Sequence, residues 1–215
     1  MKTYIMSLLL SLPIILLALS LHETAHGYVA YKLGDPTARN LGRITLNPMK
    51  HLDPFGFICM LLAGFGWANP VPINSRNFKK PRRDMALSAA AGPASNLLLA
   101  IVFTALYKVF TLVTPHINIA NEASFYVFFA VELFLYFGIS LNISLAVFNL
   151  LPVPPLDGSR LLYVFLPPKY YFGLMKYERY ISFAIMALLL IGVLDPVITF
   201  VRNAIMNLLF LIFGI

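Results

Sequence analysis

Leu21-His22-Glu23-Thr24-Ala25-His26-Gly27 lies near the end of an apolar run that begins around Tyr4. In a helix, residues four apart share one face, so the imidazoles of His22 and His26 can both bind one metal ion. Glu23 lies beside them, placed to reach a metal-bound water rather than the metal. Ionisable groups are costly in an apolar, membrane-spanning segment and are normally retained for a function. We therefore predict a metal site here, in preference to a chance match on a buried helix.

The composition places the whole chain in a membrane. Its 215 residues are 60% hydrophobic and only 12% charged, whereas soluble domains are about 25% charged. The sequence therefore predicts an all-α multi-pass membrane protein, a single domain over residues 1–215 with about five to six transmembrane helices. The expected spans are about 4–28, 84–110, 123–151, 178–194 and 196–214.

The basic residues predict the orientation of these helices. Of 16 Lys and Arg, nine lie between residues 32 and 83 and four between residues 160 and 179. Basic residues collect in cytoplasmic connections, so both regions are expected in the cytoplasm. We interpret the net charge of +7 as facing lipid headgroups and not nucleic acid. The protein is expected in the cell membrane, surrounded by the lipid bilayer, with its site toward the cytoplasmic side.

Residues 41–72 form a segment of a different kind, apolar and Gly-rich in part but too short and broken to span. Residues 41–48 alternate weakly, as a strand would, and Asn69-Pro70-Val71-Pro72 ends the segment. We predict a β-hairpin over about 41–72 that re-enters the membrane after the first helix. Such backbone is tolerated only against protein or a water-filled cavity, so the hairpin is expected to line the site. An interfacial loop without a role is the alternative.

A carboxylate is expected as the third metal ligand, because the chain has one cysteine and four histidines. Asp157 follows a proline-rich stretch and lies close to a basic boundary, as His26 does. The two residues are therefore expected at the same depth, and Asp157 is the preferred ligand, with Asp53 second.

Two imidazoles and one carboxylate leave the fourth tetrahedral position of zinc open for water, as in catalytic sites. Glu23 would accept the proton of that water as a general base. The side-chain amide of Asn149 or Asn96 would help to stabilise the oxyanion of an attacked carbonyl. The expected reaction is hydrolysis of a peptide bond inside a membrane.

These motifs together resemble the site-2 protease family of intramembrane zinc metalloproteases. The box at 22–26, the patch Gly92-Pro93-Ala94-Ser95-Asn96 and the stretch from Asn149 to Gly158 occur in the family's order. Residues 47–56 and 69–72 resemble the family's membrane-embedded β-hairpin. The chain resembles a minimal form of the fold, without the PDZ or CBS domains of other members.

The resemblance implies one Zn²⁺ per chain, with Glu23 as the base, Asn149 assisting the oxyanion, and the metal ligands His22, His26 and Asp157. It implies that the protein cleaves within or near the transmembrane segment of single-pass membrane proteins, as in regulated intramembrane proteolysis. The substrate must unwind locally first, because the carbonyls of a helix are shielded.

Other hypotheses stay open. Two histidines and one carboxylate also suit Fe(II), although an oxygenase has no use for Glu23. A catalytically silent membrane scaffold or a metal-handling membrane protein belongs to a different class. The sequence leaves oligomerisation open, and it does not settle the roles of Glu132, Asn96, His51 and Asp53.

Overall fold

The computed structural model describes residues 2–63, 66–117 and 121–215. These residues form α-helices joined by loops and short 3₁₀ turns. The α-helices are α1 (Lys2–Lys32), α2 (Thr37–Asn40), α3 (Pro54–Ala63), α4 (Pro81–Val113), α5 (Glu122–Asn149), α6 (Asp157–Phe165), α7 (Pro168–Met175), α8 (Glu178–Leu190) and α9 (Asp195–Phe213). Within the described ranges, four stretches are long and apolar enough to cross a membrane: Leu8–Lys32, Pro81–His116, Glu122–Asn149 and Asp195–Phe213. The predicted helical, membrane-spanning character is confirmed.

The helix predicted to span over 178–194 is shorter than expected. α8 has 13 residues, which reach about 20 Å at 1.5 Å per residue, whereas the hydrocarbon layer is about 30 Å thick. Gly192, with a φ of +73°, ends the helix. Its N–H bonds to the carbonyl of Leu189, and the N–H of Val193 bonds to that of Leu188, which is the Schellman arrangement. Among the described residues, four helices rather than five or six therefore qualify as spans.

The described part of residues 41–72 differs from the predicted β-hairpin. Pairing there is limited to one antiparallel bridge between Leu52 and Ala68, and the residues after Asp53 form α3. Asp53 accepts the N–H of Gly56 at 2.8 Å and Pro54 is the first helical residue, a typical helix start. A short apolar run fits a strand or a helix equally well by periodicity, and here the Asp-Pro start favours the helix.

α4 is the central helix, and it packs against α1, α5 and α6. Small residues bring these helices close together. A Cβ on Gly138 of α5, for example, would lie 2.3 Å from the ring of Phe103 on α4. The apolar core is formed by Ile14, Ala100, Phe103, Leu135, Ile139, Ile143, Val147 and Met206. The early turns of α4 instead face the polar end of α1 and position the site.

Candidate metal centre

Three candidate ligands converge between α1 and α6. Oδ2 of Asp157 lies 3.1 Å from Nε2 of His22 and 3.1 Å from Nε2 of His26. The three ligand atoms lie within 4.8 Å of one another, and all three side chains are buried. Asp157 is thus the carboxylate that the fold brings to the imidazoles, whereas Asp53, the second choice, caps α3.

Asp157 is positioned by a tight connection between α5 and α6. The prolines between residues 152 and 155 keep this connection out of a helix, and Asp157 is the first residue of α6. A Cβ on Gly158 would lie 2.3 Å from the carbonyl oxygen of Leu150. The glycine therefore allows α6 to begin directly against the end of α5, with Asp157 facing α1.

The hydrogen bonds of the two imidazoles define which nitrogens face the carboxylate. Nδ1 of His22 lies 2.7 Å from Oδ1 of Asn96, and Nδ1 of His26 lies 2.7 Å from the carbonyl oxygen of Ser88. Both oxygens are acceptors, so both Nδ1 atoms donate and carry the proton. The Nε2 atoms then face Asp157 as the potential ligands, in the orientation that metal-binding histidines adopt.

The protonation of the two imidazoles suits a cation. Because both Nδ1 atoms carry the proton, the two Nε2 lone pairs and the carboxylate of Asp157 face one another, and a shared cation satisfies all three. Zinc bonds of 2.0–2.2 Å place neighbouring tetrahedral ligand atoms about 3.3–3.6 Å apart, and the two distances of 3.1 Å from Asp157 to the imidazoles lie just below that range.

Gly92 of α4 keeps the space beside the imidazoles open. A Cβ at this position would lie 2.3 Å from Nε2 of His26 and 2.6 Å from Nε2 of His22. Both distances are far below an ordinary contact, and both end on the two potential ligand atoms. The residues present therefore fit a metal ion in donor type, in spacing and in the space left for it.

Glu23, the remaining ionisable residue of the box, is buried but lies outside this ligand group. Its Oε2 accepts the N–H of Val71 at 2.7 Å. Val71 belongs to residues 69–72, which we call the strap. Arg43 holds the strap from the other side, since its Nη2 donates to the carbonyls of Asn69 at 2.6 Å and Pro70 at 3.3 Å. The box carboxylate is thereby oriented by a segment that lies far away in the sequence.

The two asparagines considered for the oxyanion lie in different surroundings. Asn149 donates from Nδ2 to the carbonyl of Leu145 in its own helix at 2.9 Å. Asn96 lies at the centre, with Oδ1 facing His22 and Nδ2 donating to Oδ1 of Asn142 at 3.3 Å. Both ends of the Asn96 amide are engaged, so its observed contacts are with a histidine and a second asparagine.

The sequence reasoning missed Ser88 and Asn142 as partners of the site, and it missed the contact of Val71 with Glu23. For Ser88 a signal was present. Ser88, Gly92 and Asn96 are spaced four apart, so they share one face of α4. No comparable pattern marks Val71, because its contact spans 48 positions of the chain.

His51 and Glu132 also have identifiable partners. The carbonyl of Thr45 accepts both the hydroxyl of Thr24, at 2.6 Å, and Nε2 of His51, at 2.7 Å. Thr24 therefore fastens the loop after α2 to the helix that carries the box, and His51 holds the same carbonyl from within the loop. Glu132 is exposed on the far part of α5 and accepts the hydroxyl of Tyr107 at 3.3 Å.

A His-Glu-x-x-His helix that meets a distant carboxylate, set among membrane-spanning helices, defines a membrane metallopeptidase. Comparison with known proteins agrees with this class. The model of peptidase family M50 matches residues 10–192, and the chain belongs to that family.

Two relatives illustrate the similarity, and both carry provisional names as zinc metalloproteases. The chain is 44% identical over 205 residues to YwhC of Bacillus subtilis (strain 168), covering 93% of this chain and 90% of the relative. It is 30% identical over 181 residues to Rip2 of Mycolicibacterium smegmatis (strain ATCC 700084 / mc(2)155), covering 82% of this chain. That match spans 64% of Rip2, less than two thirds of its length. No solved structure matches the chain.

Proposed function

We propose that the protein is a zinc-dependent intramembrane endopeptidase. The observation that carries the proposal is the convergence of two box histidines and Asp157 in a buried cluster, with Glu23 beside it, among helices long enough to span. The zinc metalloprotease names of the relatives support the choice of metal. His22, His26 and Asp157 would hold one Zn²⁺ per chain. When bound, the ion supplies a Lewis acid and lowers the pKa of water to about 7.

Glu23 is the general base of this proposal. Its carboxylate takes the proton of the attacking water and passes it to the leaving amine. The N–H of Val71 holds one carboxylate oxygen, Oε2, in place at 2.7 Å, so the other oxygen is available for proton transfer. Asn149 is the candidate for stabilising the oxyanion, because Asn96 is committed to His22 and Asn142, whereas the Asn149 amide donates to a carbonyl of its own helix. For this role the Asn149 amide exchanges the carbonyl of Leu145 for the substrate.

Two cavities of contrasting chemistry support a membrane-protein substrate. One, of about 400 Å³, is lined in part by residues 70–72 of the strap and by the polar side chains of Ser159, Arg160 and Glu178, which suits access of water. The other, of about 320 Å³, is apolar and includes Leu19, Leu145 and Phe148. We assign the first to the cytoplasmic side, where the basic connections lie, and the second to apolar side chains of the substrate. The proposed substrates are single-pass membrane proteins, cut within or near an unwound part of their transmembrane segment.

The experiment that tests the proposal is Glu23→Gln in the full chain. Zinc content of the purified protein is expected to stay at one ion per chain, since the ligands are untouched, while cleavage is lost. Cells that produce the variant are expected to accumulate one or more uncut single-pass membrane proteins, detected by comparing membrane proteomes. Glu132→Gln is the matched control, because it neutralises a carboxylate within a span but remote from the site, and it should leave both readouts unchanged.

Two outcomes would contradict the proposal. Iron instead of zinc in the purified protein would indicate oxidative chemistry. Unaltered membrane proteins in cells with Glu23→Gln would indicate a silent scaffold or a metal-handling protein.

A further inference from the structure

We infer that Asn142 of α5, which makes no hydrogen bond to the three candidate ligands, fixes the tautomer of His22 through Asn96 and is a positioning residue of the metal site. The inference rests on the proposed function, since it takes His22 as a zinc ligand. It adds a third helix, α5, to the elements that prepare the site.

The two imidazoles are oriented by acceptors of different kinds. Nδ1 of His26 faces the backbone carbonyl of Ser88, which can only accept, so its proton is fixed on Nδ1. Nδ1 of His22 faces the side-chain amide of Asn96, which can present either an oxygen or, after rotation, an NH₂ group. Only the first orientation leaves Nε2 of His22 with a free lone pair for a metal.

Asn142 removes this ambiguity. Its Nδ2 donates to the backbone carbonyl of Gly138 at 2.8 Å, and rotation of the amide would press two oxygens together. Oδ1 of Asn142 therefore faces Asn96 and accepts its Nδ2 at 3.3 Å. Asn96 must then turn its own oxygen toward His22. The direction of every hydrogen bond follows from one backbone carbonyl that cannot rotate.

The three hydrogen-bonded side chains are buried, so the orientation of each amide affects the stability of the network. Asn142 is 0% exposed, Asn96 1% and His22 5%. A buried amide that loses its partner has no water to replace it. An amide pair could also serve only to join α4 to α5. The two roles, positioning His22 and joining α4 to α5, can be told apart. Only the positioning role depends on the ability of the Asn96 amide to rotate.

The first test is Asn142→Leu, which removes both the donor and the acceptor at similar size. Zinc affinity of the purified full chain, measured by competition with a chelator, is expected to fall about three- to tenfold, less than the 10–100-fold typical when the direct partner of a ligand histidine is lost. The ¹⁵N spectrum of labelled histidines in metal-free protein should show His22 changing from the Nδ1-protonated form to a mixture. Thr104→Val is the control, since Thr104 is buried on α4 but bonds only to Ala100 of its own helix, and it should change neither readout.

The second test repeats Asn142→Leu in an Asn96→Asp background. A carboxylate at position 96 has no NH₂ group to present, so His22 donates to it whatever lies at position 142. Here Asn142→Leu should leave zinc affinity unchanged or raise it, because it removes an oxygen–oxygen contact. The same loss of affinity in both backgrounds would overturn the inference, as would a normal affinity and His22 spectrum in the single variant.

If Asn142→Leu does not fold, Asn142→Asp decides the question. A protonated aspartate offers one donor and one acceptor, the same pattern as the asparagine, so zinc affinity should stay within about threefold of the parent, and a tenfold loss would refute the inference. His22→Ala separates this test from the proposed function. If that variant still binds zinc with the parent's affinity, the proposed ligand set is wrong, irrespective of what Asn142 does.

Discussion

Gly92→Ala adds one methyl group at the point where the two imidazoles meet. The added Cβ would lie 2.3 Å from Nε2 of His26, whereas an ordinary contact begins at 3.4 Å. The shortfall is thus about 1.1 Å, and it is relieved only if the imidazoles turn away or α4 moves away from α1. A misplacement of about 1 Å costs on the order of 100-fold in rate. We expect zinc binding to weaken and cleavage to fall at least that far.

The fold should survive this substitution. Overpacking costs about 1–3 kcal/mol, but alanine is about 1 kcal/mol more favourable than glycine inside a helix, so the free energy of unfolding should fall by about 0–2 kcal/mol, less than the 5–15 kcal/mol typical of a folded protein. Zinc content by elemental analysis, cleavage of a membrane substrate and the thermal midpoint in detergent would be measured together. Gly173→Ala is the matched control, because its Cβ would meet nothing within 4 Å. A Gly92→Ala protein with one zinc per chain and normal cleavage would refute the reasoning.

Three further predictions follow from contacts outside the ligand group. Arg43→Gln releases the strap that orients Glu23, so cleavage should fall about tenfold while zinc content stays constant; equal loss of both would contradict this. Asp53→Ala removes the cap of α3 and should cost about 1 kcal/mol, seen as faster hydrogen exchange in α3, whereas loss of zinc would make Asp53 a ligand after all. Asp35 is buried, which raises its pKa, but hydrogen bonds from Thr37, Asn77 and Asn74 outweigh burial and lower that pKa below 3.8. The stabilising contribution of the Asp35 carboxylate is therefore complete above about pH 4 and is lost as the pH falls through the lowered pKa. Asp35→Asn should thus reduce the change in thermal midpoint between pH 6 and pH 3. An unchanged pH dependence would show that Asp35 contributes nothing.

The sequence predicts well those parts of the fold whose secondary structure is determined by a single local property. Four long apolar runs, at 4–28, 84–110, 123–151 and 196–214, coincide with α1, α4, α5 and α9 within a few residues, because a helix that spans must be apolar over its whole length. Where two rules compete, the prediction fails. The run after Asp53 suits a strand or a helix, and the run after residue 178 is apolar enough but is ended early by Gly192.

The candidate site also has a part that the sequence predicts and a part that it does not. His22, Glu23 and His26 form a local motif, and the depth argument for Asp157 needed only the direction of the helices. The contacts that prepare these residues are not local. Val71 of the strap and Glu23 are 48 positions apart in the sequence, and Asn96 and His22 are 74 positions apart. Such contacts depend on how the helices pack, and spacing in a single sequence shows which residues share a helix face but not which face they meet.

One packing relation nevertheless explains the whole arrangement around the imidazoles. α1 and α4 run antiparallel here, since His26 contacts Ser88 while His22 contacts Asn96. The histidines are four residues apart, and Ser88, Gly92 and Asn96 repeat the same spacing on the facing helix. The two outer positions supply one acceptor for each imidazole, and the middle position supplies empty space between them.

This register makes the three α4 residues interdependent. A residue inserted between Ser88 and Asn96 would rotate one of them off the shared face by about 100°, so that a single imidazole loses its acceptor while the other keeps its own. The metal site is therefore better described as a match between two helix faces than as a motif on one of them. The box on α1 supplies the two proposed histidine ligands, and the face of α4 orients them.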